Sequence, residues 1–219
     1  MATGMRPEEA AGLQVRDIDL ENGFLRIRRV YVESAQAYES KAKNDQSRRE
    51  VELDTVTTAA LRGYLDRHHD RATRWFTDNP DHLHPGTALP LFVGVGKRPR
   101  GYDGPDTDRL NFSKPMSHRW FYMRHWKATV AVCKLPDDLR FYDLRHAHIS
   151  WLVANVGQPG ALSIKEISER VGHSSAVMTL DRYAHSPKDN RDRAKKALGS
   201  LLAQSEAGNV VPLVRSTSN

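Results

Sequence analysis

The first strong pattern along the chain is an alternation of apolar and polar side chains over positions 24–31. Leu25 and Ile27 fall on one side of the alternation, and Arg26 and Arg28 fall on the other. A period of two residues is typical of a strand with one buried face. We therefore predict a half-buried strand whose outer face carries arginines.

Two further strands are predicted next to it. The alternation returns over positions 48–53, where Val51 and Leu53 would point inward. Positions 35–46 would form another strand and a polar hairpin loop that carries Lys41 and Lys43. Strands joined by short connections pair antiparallel, so the prediction is a small three-stranded antiparallel sheet.

The following segments have the 3.6-residue period of helices. Asp54 is placed to cap a helix whose inward positions are apolar, namely Val56, Ala60, Leu61, Tyr64 and Leu65. A second helix should run from Ser117 to about position 133. Its predicted core positions are Met123, Trp126, Val130 and Cys133.

The last helices are marked by their end signals. Positions 141–156 read as one helical segment, and Ser163 with Glu166 fits a capping box at the start of the next. Ile164, Ile167 and Val171 would form its buried stripe. Gly172 suits the end of that helix, a short helix carrying Tyr183 follows, and Ser186-Pro187 would start another. The predicted fold is a mixed α+β domain that is mainly helical.

We expect residues 1–219 to form a single domain. Positions 78–118 are rich in Pro, Gly and Asp and read as a long surface connection with one brief strand or buried segment at 89–93. Positions 206–219 form a polar tail that contains the apolar run 210–214. Because the chain opens directly on a helix start at positions 4–9, we expect it to be a piece of a longer protein.

The charge balance favours a polyanionic partner. The net charge is +6, and arginines concentrate it at positions 26–29, 48–49 and 97–100. The single cysteine, Cys133, excludes a disulfide framework and is expected to be a core residue of a protein from a reducing compartment. No apolar run reaches membrane-spanning length, so we predict a cytoplasmic protein.

Five short motifs supply chemistry suited to a phosphodiester. They are Gly4-Met5-Arg6 with Glu9, Ser40-Lys41, Tyr142-Asp143-Leu144-Arg145, Val171-Gly172-His173, and Tyr183. In this order and spacing the chain resembles the catalytic domain of the tyrosine recombinases, the phage integrase type. The resemblance implies the DNA breaking-rejoining fold and spans positions 4–185.

The resemblance assigns a role to each motif. Arg6 and Arg145 would clamp the phosphate, since forked guanidiniums bind its oxygens bidentately. Tyr183 would be the nucleophile, and His173 would hydrogen-bond a phosphate oxygen. Lys41 would protonate the leaving 5′-oxygen, with Lys43 as a rival for that role.

The expected partner is double-stranded DNA. The side chains expected to contact it outside the catalytic set are Arg26, Arg28, Lys43 and Arg48. The resemblance implies a homo-tetramer on DNA for the full-length protein, together with an N-terminal DNA-clamping domain. It implies no cofactor and no metal ion, because the arginines and the lysine supply the positive charge.

Each residue also has a simpler interpretation when taken alone. Arg6 can pair with Glu9 on a helix start, and Arg145 can pair with Asp143 or Glu166. His173 can cap the preceding helix, Tyr183 can be a packing residue, and Lys41 can be solvated surface.

The chain departs from the family pattern at Tyr142, where a histidine is usual. A phenol donates one hydrogen bond but is a poor proton shuttle near neutral pH. His146 lies four residues later on the same helical face and is a candidate for the missing imidazole. Two alternative functions stay open. One is a DNA-binding relative whose catalysis is impaired by Tyr142, and the other is a type IB topoisomerase with the same covalent tyrosine chemistry.

Overall fold

The computed structural model describes residues 3–40 and 48–183, and side chains as far as position 180. The helices are α1 (Pro7–Gly12), α2 (Thr55–Asp78), α3 (His118–Phe121), α4 (Lys127–Val132), α5 (Asp143–Ala154), α6 (Ile164–Val171) and α7 (Ala176–Tyr183). The strands are β1 (Ile18–Asp19), β2 (Phe24–Ile27), β3 (Arg29–Val32), β4 (Ala37–Ser40), β5 (Arg49–Glu52), β6 (Val93–Val95) and β7 (Leu110–Pro115). The mainly helical α+β prediction is confirmed.

The three-stranded antiparallel sheet exists, but its strands differ from the predicted ones. Its order is β1-β2-β5, with Leu25 opposite Val51. The predicted strand over 24–31 breaks at Arg28, and β3 pairs with β4 in a separate two-stranded ribbon. The break lets β3 lie against α1, where a Cβ on Gly12 would come within 2.8 Å of the Arg29 carbonyl oxygen.

The sheet buries one face, as the alternation predicts. Leu25, Ile27 and Val51 are fully covered and form a cluster with Leu13 and Leu91. Leu91 belongs to the long connection 78–118, so part of that connection is buried against the sheet. The predicted buried segment at 89–93 is therefore confirmed, whereas strand β7, in the same connection, was not predicted.

Helix α2 begins as predicted, because the Thr57 backbone N–H donates to Asp54 Oδ1 at 2.9 Å. Its burial differs from the prediction: Val56 is 77% exposed and Ala60 is also exposed. The fully buried positions are in the second half of the helix, at His68, Ala72 and Phe76, where it packs on the long connection and β7. The predicted inward face is correct for Leu61, Tyr64 and Leu65, which are half-buried, and wrong for Val56 and Ala60.

The helix after Ser117 is continuous but irregular, since a π-helical turn over Tyr122–Trp126 joins α3 to α4. A wider turn shifts the buried face of a helix. Trp126 and Val130 are buried as predicted, but Met123 is 57% exposed. Cys133, predicted as a core residue, is exposed at the end of the helix.

The C-terminal described helices follow their end signals. Ser163 Oγ accepts from the Glu166 backbone N–H, and the Glu166 carboxylate accepts from the Ser163 backbone N–H, so the capping box is confirmed. Ile167 and Val171 are buried with Ile149 of α5, and Ile164 is half-buried. Gly172 ends α6 at φ +69°, which favours glycine. No helix in the described ranges is both long and apolar enough to cross a membrane.

Candidate active site

Arg6 stands immediately before α1, where Pro7 fixes the first helical turn. Its backbone N–H donates to Glu9 Oε2 at 2.8 Å, and its Nη1 donates to Glu9 Oε1 at 3.1 Å. Glu9 is fully buried, while the Arg6 side chain stays 31% exposed. The simple Arg6–Glu9 pair thus exists, and it holds a guanidinium that remains open to a ligand.

A second arginine, Arg49 of β5, completes the binding of this buried carboxylate. Its Nη1 and Nη2 donate to the two Glu9 oxygens at 3.1 and 2.8 Å, and its Nε donates to the Arg170 carbonyl at 2.7 Å. Arg49 is not among the site residues predicted from the sequence. The signal was present, because Arg49 shares the inward face of the alternation with Val51.

Arg145 lies in the first turn of α5 and is only 2% exposed. Its Nη1 donates to the Gly4 carbonyl at 2.7 Å and its Nη2 to the Val171 carbonyl at 2.6 Å. Arg6 Nη2 donates to the adjoining Gly172 carbonyl at 3.4 Å. The two predicted phosphate clamps are therefore fixed to the same short turn at the end of α6.

The alternative pairings of Arg145 are not the ones observed. Asp143 accepts from Arg140 Nη2 at 2.8 Å, and the Glu166 carboxylate accepts from the Ser163 backbone N–H at 2.7 Å. Burial, followed by the nearby positive charge of Arg6, lowers the pKa of Arg145 to about 10. Arg145 therefore stays charged at neutral pH, and an anion placed between the two guanidiniums would relieve their repulsion.

His173 follows Gly172 in the turn between α6 and α7. Its backbone N–H donates to the Ser168 carbonyl at 2.9 Å, so the main chain caps α6 as the simpler interpretation expects. The His173 side chain is hydrogen-bonded separately, with its Nδ1 2.8 Å from the hydroxyl of Thr179. A Cβ on Gly172 would lie 2.7 Å from Arg49 Nη1, so the turn packs closely on the arginine cluster.

Tyr142 and His146 lie together at the start of α5. Their ring centroids are 5.1 Å apart in an edge-to-face arrangement, and both side chains are half-buried. This contact is consistent with the prediction that Tyr142, Arg145 and His146 share one helical face.

Three predicted residues cannot be placed in the same detail. Tyr183 is the last residue of α7, and its side chain lies outside the described part of the chain. Lys41 and Lys43 also lie outside the described residues.

An arginine-lined groove of about 720 Å³ runs beside the sheet next to this site. It includes the predicted DNA-contacting residues Arg26, Arg28 and Arg48, together with Arg29 and Arg49. Some of this charge is already paired, because Arg26 Nε donates to Glu50 at 2.9 Å and Arg29 pairs with Asp17. Arg28 and Arg48 are exposed, and Arg48 Nη2 donates to Ser40 Oγ at 3.0 Å. Within the described ranges, no three His, Cys, Asp or Glu side chains are grouped as metal ligands.

Comparison with known proteins agrees with this geometry. The chain is 30% identical over 203 residues to the putative prophage phiRv2 integrase found in two strains of Mycobacterium tuberculosis; the match covers 92% of this chain. It spans only 44% of the length of those relatives.

Solved structures show the same fold. The Tn1549 transposon integrase in complex with a circular intermediate DNA superimposes with a TM-score of 0.62 at 19% identity, over 90% of this chain and 55% of that one. The XerA recombinase superimposes with a TM-score of 0.56 at 19% identity, over 90% of this chain and 54% of that one. The model of the phage integrase family matches residues 1–190. Because that match covers most of the chain and includes Arg6, Arg145, His173 and Tyr183, the chain belongs to the phage integrase family.

Proposed function

We propose that this chain is the catalytic domain of a tyrosine-type site-specific DNA recombinase, acting in DNA integration. The observation that carries the proposal is the convergence of Arg6, Arg145 and His173 on the turn at the end of α6. Two guanidiniums and an imidazole from distant parts of the chain form a cationic centre beside an arginine-lined groove.

The chemistry follows from these residues. Tyr183 loses its phenolic proton to solvent, its Oη attacks the scissile phosphorus, the bond to the 5′-oxygen breaks, and a 3′-phosphotyrosine forms. Arg6 and Arg145 stabilise the charge that gathers on the non-bridging oxygens, and His173 donates a hydrogen bond to one of them. Lys41, or its rival Lys43, gives the departing 5′-oxygen its proton. Attack by a 5′-hydroxyl of the partner duplex reverses these steps and releases the tyrosine.

The partner in this proposal is double-stranded DNA; the Tn1549 transposon integrase, which has the same fold, is solved in complex with a circular intermediate DNA. The full-length protein would assemble as a homo-tetramer on two DNA sites. An N-terminal domain beyond this chain would clamp the opposite face of the duplex. The greater length of the relatives supports this division of labour.

The test uses a nicked suicide DNA substrate that contains the protein's own recombination site, at the end of the genetic element that encodes it. Full-length protein is incubated with the DNA, and covalent adducts are separated by denaturing electrophoresis. We expect an adduct that disappears in Tyr183→Phe. The absence of an adduct with wild-type protein would contradict the proposal and favour a DNA-binding role, whereas relaxation of plasmids that lack the site would favour a topoisomerase.

A further inference from the structure

The hydroxyl of Thr179 is buried against the imidazole of His173. Thr179 is fully buried on α7, and its Oγ1 lies 2.8 Å from His173 Nδ1. It precedes Tyr183 by four residues, so the two positions share one face of the helix. One side chain therefore links the predicted imidazole to the helix that carries the predicted nucleophile.

Packing alone does not account for a threonine at this position. A buried hydroxyl costs free energy unless it has a hydrogen-bond partner, and a valine would fill the same volume without that cost. The exposed Thr77 of α2 gives a contrast, since its hydroxyl donates to the Thr73 carbonyl at 2.9 Å within its own helix. The hydroxyl of Thr179 instead bonds a side chain on another segment.

We propose that Thr179 is a positioning residue that orients His173 and docks the nucleophile helix in the same contact. This inference rests on the proposed recombinase function. With Nδ1 engaged by Thr179, hydrogen bonding to the phosphate falls to Nε2. When the neutral ring accepts the Thr179 proton at Nδ1, its own proton resides on Nε2, which is the form that can donate to a phosphate oxygen.

The contact also couples two events. His173 is held by the turn after α6, and Thr179 belongs to α7, so the hydrogen bond exists only while α7 is packed against that turn. Docking of the helix thus fixes the imidazole and places Tyr183 at the same time. Because His173 and Tyr183 are positioned in one step, Tyr183 would not cleave DNA before the rest of the catalytic site is in place.

Two substitutions separate this role from simple packing. Thr179→Val keeps the volume and removes the hydroxyl, whereas Thr179→Ser keeps the hydroxyl and removes a methyl group. In the suicide-substrate assay with full-length protein, we expect Thr179→Val to slow adduct formation about ten-fold, as for loss of one hydrogen bond of about 1.4 kcal/mol. Thr179→Ser should retain most of the rate, and its pH–rate profile should match wild type while that of Thr179→Val is shifted. Thr77→Val is the matched control and should cleave at the wild-type rate.

A second measurement does not depend on cleavage. The ¹⁵N chemical shifts of the His173 ring report which nitrogen carries the proton, and we expect Thr179→Val to shift this balance away from Nε2 in the DNA-free protein. Unchanged ring shifts, or equal losses of rate in the Val and Ser variants, would overturn the proposal. If wild-type protein forms no adduct, the recombinase function fails, and the ring shifts still decide whether Thr179 controls His173.

Discussion

Tyr142 stands where the resemblance to the tyrosine recombinases predicts a histidine. It stands just before α5, three residues before the buried Arg145 and in ring contact with His146. A phenol in this place can donate a hydrogen bond to a phosphate oxygen but cannot relay a proton easily near pH 7. His146, in ring contact with Tyr142, stays the candidate for the imidazole that the resemblance implies at this place.

The first prediction concerns the hydroxyl of Tyr142. Tyr142→Phe should slow covalent adduct formation by about ten- to 150-fold, because one hydrogen bond to a charged group contributes about 1.5–3 kcal/mol. The phenyl ring keeps the edge-to-face contact with His146, so the thermal midpoint of unfolding should hardly change. Tyr142→His serves as the control and should retain activity. An unchanged cleavage rate in Tyr142→Phe would remove Tyr142 from the site.

At the scale of elements, the hydrogen bonds of Glu9 and Arg49 connect α1, β5 and α6. Arg6 precedes α1, Arg49 belongs to β5, and Arg49 also bonds the Arg170 carbonyl of α6. Two guanidiniums share one carboxylate, so the group keeps a net positive charge for a phosphate. Without Arg49, more of the Glu9 charge would have to be balanced by Arg6, and Arg6 would have less positive charge left for a ligand.

We therefore predict that Arg49→Met destabilises the fold strongly. Removing one partner of a buried ion pair typically costs about 3–5 kcal/mol, because the other charge stays buried and poorly compensated. Urea denaturation of the purified chain measures the loss. Arg26→Met is the matched control: its pair with Glu50 is solvent-exposed, so its loss should cost less than about 1 kcal/mol. Equal losses in the two variants would contradict the structural role of Arg49.

The elements also show which features the sequence could predict. The capping box at Ser163 and the glycine stop at Gly172 depend on neighbouring residues, and both are confirmed. The break at Arg28 and the use of β1 as the third strand depend on pairing between distant segments, which an alternation cannot specify. Arg6, Arg145 and His173, which the motifs single out, lie at one turn of the folded chain. Arg49 and Thr179 were not predicted: the strand alternation places Arg49 on the inward face, but only the folded chain shows that Glu9 is its partner and that His173 is the partner of Thr179.

At the scale of the whole molecule, the net charge of +6 is not spread evenly. Five arginines line one groove, and three of them, Arg26, Arg29 and Arg49, already pair with carboxylates. The carboxylate beside each of these three arginines offsets part of its attraction for an anionic ligand. The exposed Arg28 and Arg48 are consequently the groove residues best placed to neutralise a DNA phosphate.

The last prediction follows from this difference between paired and exposed arginines. Each phosphate that a cation neutralises releases counterions from duplex DNA and adds about 0.9 to the steepness of log K against log salt. Arg28→Gln and Arg48→Gln should each lower that slope by about one, as measured by fluorescence anisotropy of labelled duplex across a salt series. Lys165→Gln removes the same charge from the exposed face of α6, outside the groove, and should leave the slope unchanged. If all three variants lower the slope equally, the positive charge acts diffusely and the groove is not the path of the DNA.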